Sequence, residues 1–204
     1  AVANMSIGGY VFSRNPRSPT HRAFFLYAAL IAVWALALAL FEGARPPNAW
    51  HTRLGFAAGS LVPIVMLRFA ECFPSSTHST SSINRWLFTP LGLGFSFLSW
   101  SVWMVASVGI QGGEIRAVYG PLHGPFAVYV LGCFAFGFYV LHSTYRQTTG
   151  LLKLQSKYLL IAMAVPTVLA VVTNVVIPFT LGTSRYSKYG PLSSLIMLGL
   201  IGHA

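Results

Sequence analysis

The stretch Ala23 to Phe41, AFFLYAALIAVWALALALF, decides the fold. It carries no charge, and a helix of this length spans about 30 Å, the thickness of a bilayer's hydrocarbon core. Comparable apolar stretches run from about Leu54 to Phe73, Trp86 to Ile110, Pro125 to Tyr145 and Lys157 to Phe179, and a last one begins near Pro191 and is still apolar at Ala204. The only acids are Glu42, Glu71 and Glu114. Charged residues make up 8% of the chain, against roughly a quarter of an ordinary soluble domain. The solvent is therefore lipid. The expected fold is an all-α integral membrane bundle of six to seven transmembrane helices, forming one domain over residues 1–204.

The segments between these runs supply punctuation and orientation. Ala1 to Phe12 is too short to span and reads as a truncated first helix or an interfacial segment. Arg14-Asn15-Pro16-Arg17-Ser18-Pro19 is a basic turn, Pro74 closes the third helix, Ser75 to Ser82 is a low-complexity loop, and Gln111-Gly112-Gly113 ends the fourth helix. Placing the first basic turn in the cytoplasm puts eight Lys and Arg residues inside and five outside. By the positive-inside rule the C-terminus is then cytoplasmic. The net charge of +10 is spread over short gaps between apolar runs, which argues against nucleic acid as a partner. Ala28, Ala32, Ala35 and Ala39 share one face of the second helix, and Ala57, Ala58, Gly59 and Ser60 cluster in the third. Small residues so placed let neighbouring backbones approach closely.

Few side chains are equipped for chemistry. Arg68 and Glu71, at i and i+3, can pair near the end of the third helix. They read either as a snorkelling arginine with its neutralising partner or as an ionic latch to the adjoining loops. Asn174 and Pro178 stand at i and i+4. Proline has no N–H for the Asn174 carbonyl, so the sixth helix is expected to kink, with Thr173 and Asn174 satisfying the freed group or bonding across helices. That place is either ordinary packing or a hinge and ligand pocket. Pro63 and Pro166 free the Gly59 and Ala162 carbonyls in the same way. Cys72 and Cys133 lack metal-ligand spacing and read as small core residues. His142 with His203 is the only conceivable haem pair at similar depth and is rejected, as is retinal for want of a lysine within the last helix. No cofactor or metal is expected, and no hydrolase, phosphate-loop or zinc motif occurs. Trp34, Trp100 and Trp103 are expected within apolar helices, Trp50 and Trp86 at interfaces.

Several stretches together resemble the N-terminal seven-transmembrane sensor region of bacterial histidine kinases. They are Arg14-Asn15-Pro16-Arg17-Ser18, the stretch from His21 through Trp34-Ala35-Leu36, Phe69-Ala70-Glu71-Cys72-Phe73-Pro74, Thr173 to Pro178, and Tyr189-Gly190-Pro191-Leu192. The resemblance implies a non-catalytic, membrane-embedded sensor that passes a signal through its last helix, in contact with lipid and paired as a homodimer or with neighbouring membrane subunits. Any kinase chemistry would lie outside this chain. The alternative is an accessory or scaffold subunit in a larger membrane complex, for example an energy-converting one. A small-molecule transporter is disfavoured by the lack of mid-helix carboxylates and of internal repeats.

Overall fold

The computed structural model describes residues 1–44, 46, 48–73, 81–111, 114–177, 180, 186, 189, 190 and 193. Pro74, Pro178, the loop 75–80 and most of the helix expected from Pro191 to Ala204, including His203, lie outside them. The described residues form helix α1 (Val2–Arg14), α2 (Pro19–Gly43), α3 (Ala49–Cys72), α4 (Thr89–Leu98), a hairpin of β1 (Val105–Gln111) and β2 (Glu114–Tyr119), α5 (His123–Gln147) and α6 (Gly150–Val171). A π-helical turn, Asn84–Phe88, leads into α4, and a second, Val172–Val176, extends α6. Four of these helices are long and apolar enough to cross a membrane: α2, α3, α5 and the combined run Gly150–Val176. The chain is a multi-pass membrane protein, and its apolar helix faces contact lipid.

Helix α3 is the hub, packed against α2, α4, α5 and β1. It contributes Met66 and Phe69 to one core cluster, with Phe24, Tyr27 and Met163, and Ile64 and Leu67 to another, with Phe95, Met104, Phe126 and Tyr129. Small residues permit these approaches. A Cβ on Gly8 of α1 would stand 2.8 Å from the Ala28 Cβ, and one on Gly55 of α3 would touch the Ala37 Cβ at 3.7 Å. The alanine stripe of α2 is thus used at Ala28 and Ala32, both buried, but not at Ala39, which is exposed. Beyond Ala32 the buried small residue is Ala37. Cys72 and Cys133 are buried, free core residues.

The expected fourth helix over Trp86 to Ile110 is corrected by the structure. Helix α4 stops at Leu98, Trp100 and Trp103 fall in the following turn, and Val105 to Tyr119 folds back as an antiparallel hairpin. Gln111 pairs with Glu114, leaving Gly112-Gly113 as the two intervening residues, a composition suited to a two-residue hairpin loop. The strands are rich in β-branched Val and Ile, which fit a pleated surface. Burial anchors the hairpin: Met104 and Val105 are fully buried, and the Arg53 guanidinium donates to the Val105 carbonyl at 3.3 Å. The π turn and α4 together reach only about 22 Å at 1.5 Å per residue. Helix α6 also begins earlier than Lys157, at Gly150, whose φ of +59° makes the abrupt turn out of α5. His51 and His123 occupy the first turns of α3 and α5.

Two glycines of α4 separate packing from lipid exposure. A side chain on Gly92 would run into Ile64 of α3 and Tyr129 of α5, whereas one on Gly94 meets nothing within 4 Å. Gly92→Leu should therefore lower stability by about 1–3 kcal/mol through overpacking, and Gly94→Leu should stay within about 0.5 kcal/mol of the parent. Thermal unfolding of both variants in detergent micelles measures the difference.

Candidate functional site

The end of α6 is built from polar side chains that bond back onto carbonyls of their own helix. In the π turn, hydrogen bonds run from residue i+5, and the Ile177 N–H reaches the Val172 carbonyl. Such π turns recur at functional places in helices. Here the Thr173 hydroxyl donates to the Leu169 carbonyl at 2.8 Å, and the Asn174 amide donates to the Ala170 carbonyl at 3.0 Å and to the Thr173 hydroxyl at 2.9 Å. These bonds go to the Leu169 and Ala170 carbonyls rather than to the Asn174 carbonyl expected from the sequence, and Pro178 lies outside the described residues.

The structure then brings in a residue that sequence spacing could not place. Gly190 sits against Asn174 and Trp34 so closely that a Cβ would overlap the Asn174 amide and stand 3.0 Å from the indole edge. Three residues on, the Ser193 hydroxyl donates to the Pro166 carbonyl of α6 at 3.0 Å. Trp34 of α2, Asn174 of the α6 extension and Gly190 therefore meet at one point. Each belongs to a different stretch of the resemblance drawn from the sequence, and Gly190 alone carries no side-chain signal of its role.

This joint forms part of the wall of a cavity of about 150 Å³ between α2, α3, α5, α6 and the hairpin. Its lining is mostly apolar, with Ile31, Val62, Phe126 and Val130 among its walls, and polar points at Thr52, Tyr119, Thr167 and Asn174. Tyr27 hydrogen-bonds with Thr167 across it. At the hairpin end, Tyr119 stacks on His123 with ring centroids 4.2 Å apart, and Phe56 meets both edge-on. Burial pushes the Tyr119 phenol up to about 12, so it is a neutral hydroxyl at physiological pH. The Thr52 hydroxyl and both His123 ring nitrogens are buried without a hydrogen-bond partner.

A second polar node lies at the opposite end of α3. Glu71 is buried, and Arg68 lies 3.8 Å away on the same helix with its side chain 41% exposed. The closer partners come from the next segment. One Glu71 carboxylate oxygen accepts from the Ser81 N–H at 3.0 Å and the other from the Asn84 amide at 2.9 Å. The Ser81 hydroxyl in turn accepts the Asn84 N–H at 3.1 Å, as an N-cap does. The Thr20 hydroxyl holds the Cys72 carbonyl at 2.9 Å. The expected Arg68–Glu71 pair is made, but the bonds that tie α3 to another segment run from Glu71 to Ser81 and Asn84. A serine three residues ahead of an asparagine at a helix start is the signal that could have revealed them.

Among the described residues, no group of three or more His, Cys, Asp or Glu is placed to hold a metal ion. A family model described as the N-terminal 7TM region of histidine kinase matches residues 1–202. The chain belongs to that family, whose members serve broadly as sensor and transducer regions. No curated protein and no solved structure matches it.

Both nodes can be tested by stability. Glu71→Leu strands two buried donors and should cost on the order of 2–3 kcal/mol, while Arg68→Gln should cost about 1 kcal/mol or less, as a largely exposed ion pair does. Gly190→Ala should destabilise the wild-type background and do so far less in Asn174→Ala, because the clash is with the Asn174 amide. A double-mutant cycle by thermal unfolding reads that coupling.

Proposed function

We propose that this member of the histidine kinase 7TM family is a non-catalytic input region that senses a ligand within its helical bundle and transmits the signal through the joint of Asn174 with Gly190. The observation that carries the reading is the contact of Gly190 with both Asn174 and Trp34, next to the cavity. A ligand shifts a conformational equilibrium only by binding one arrangement better than another. A cavity whose wall is itself the joint between two helices meets that condition, because filling it alters the packing of the joint directly. Thr173, Asn174 and Pro178 form the hinge in this reading. Arg68 and Glu71, with Asn84, keep the opposite end of α3 fixed while the joint moves.

The remaining architecture follows the sequence argument. Six to seven helices cross a bacterial inner membrane with the C-terminus in the cytoplasm, and the chain acts as a homodimer or beside other membrane subunits. The excess of Lys and Arg in the α1–α2 and α5–α6 connections supports that orientation.

Fusing the chain to the phosphoacceptor and ATP-binding core of a histidine kinase tests the reading. Asn174→Leu and Gly190→Ala should change autophosphorylation by at least about five-fold, the lower end of common allosteric couplings, and Cys133→Ala should change it little. Equal and negligible effects from all three would leave the end of α6 as ordinary packing. A topology reporter placed after Ala204 should report from the cytoplasm, and a periplasmic signal overturns the orientation.

A further inference from the structure

The cavity beside the joint has features that select its occupant. None of its described lining residues carries a charge, and a charged ligand would lose its hydration there without a counter-ion. Its volume is about 150 Å³, the size of engineered apolar cavities that take benzene. Two polar groups along its α3 wall can take a hydrogen bond. The Thr52 hydroxyl is buried with no partner. The Gly59 carbonyl faces Pro63, which has no N–H to offer at the i+4 position, and Gly59 itself lines the cavity. A fully apolar occupant would leave the Thr52 hydroxyl unmet, and a buried polar group without a partner is costly.

We infer that the cavity binds a small, uncharged, ring-sized molecule bearing one hydroxyl group, such as a phenol or cyclic alcohol, with its hydroxyl hydrogen-bonded on the α3 wall. The apolar body lies against Ile31, Val62, Phe126 and Val130, and Ala117 and Tyr119 of the hairpin close one end. The hydroxyl both donates and accepts, so it can serve the Gly59 carbonyl or the Thr52 hydroxyl, whereas an ether can only accept. The inference supplies the ligand class for the input-region reading and rests on it for its purpose, but not for its test.

Glycine 59 offers a direct block. A Cβ there meets nothing within 4 Å, so Gly59→Leu fills the cavity without displacing backbone. Gly132, also open and exposed on α5, gives the control Gly132→Leu. The intact protein in nanodiscs is titrated calorimetrically with phenol, anisole, toluene, benzoate and benzylamine, with protein-free nanodiscs subtracted. Phenol should bind more tightly than toluene by about five- to ten-fold, the worth of one hydrogen bond, and more tightly than either charged probe; anisole, which can only accept, should match phenol where the partner is the Thr52 hydroxyl and toluene where it is the Gly59 carbonyl. Gly59→Leu should weaken phenol binding at least ten-fold and Gly132→Leu should leave it unchanged. Thr52→Val and the parent separate the two wall groups: a loss in Thr52→Val assigns the hydroxyl to Thr52, and retention assigns it to the Gly59 carbonyl. Equal binding of toluene, preference for benzoate or benzylamine, indifference to Gly59→Leu, or no binding of any probe each overturns the inference. None of these outcomes depends on kinase output, so failure here and failure of the signalling role are read separately.

Discussion

Lipid offers no hydrogen bonds, and that constraint organises the polar chemistry of this bundle. Polar side chains must find their partners inside the protein. The Thr173 and Asn174 side chains donate to the Leu169 and Ala170 carbonyls of their own helix, and the Ser193 hydroxyl donates to the Pro166 carbonyl. The Tyr129 phenol crosses from α5 to the Ser60 carbonyl at 2.7 Å. These bonds are few, and those of Tyr129 and Ser193 join separate stretches of the chain. An otherwise apolar bundle could slide by a turn at small cost, since one Leu packs against lipid or protein almost equally well. A side chain that must meet one particular carbonyl cannot slide with it.

The same constraint explains why the single buried carboxylate among these helices sits where it does. Glu71 lies at the last turn of α3, where the next segment can present a free N–H from Ser81 and an amide from Asn84. Mid-helix, every backbone N–H is already spent, and the carboxylate would have to rely on side chains alone. Arg68 moderates the charge from a half-exposed position at 3.8 Å. The two ends of the bundle therefore differ in chemistry. The Glu71 end carries charge-assisted bonds, and the end around Asn174 and the cavity carries neutral ones.

Much of the architecture was legible because lipid simplifies the code. Apolar length alone located α2, α3 and α5 to within a few residues, and the proline rule drew attention to Thr173 and Asn174, whose side chains bond the Leu169 and Ala170 carbonyls rather than the Asn174 carbonyl. The reading failed where one signal had two meanings. The apolar run after Trp86 contains Val105, Val108 and Ile110, which suit a buried strand as well as a spanning helix, and a continuous apolar run has no period to separate them. Gly112-Gly113 carries the same ambiguity, since two glycines signal a hairpin between β-branched runs as readily as the end of a helix. The contact of Gly190 with Asn174 was illegible for another reason. It depends on where two helices cross, and a glycine announces an approach without naming its partner.

That contact is what makes the cavity more than a packing defect. Trp34, Asn174 and Gly190 both line the cavity and make the joint, so the empty space and the helix contact share atoms. Gly190 leaves no room for even one methyl group against Asn174, whereas Gly59, across the same cavity, faces open space. One wall is therefore at its limit of approach while the other is slack. Packed interfaces of this kind respond to a new volume by moving between discrete arrangements, because close-packed interiors do not deform continuously. In the proposed role, an occupant that takes up the slack beside Gly59 would push on Trp34 and Asn174, the side chains in contact with Gly190.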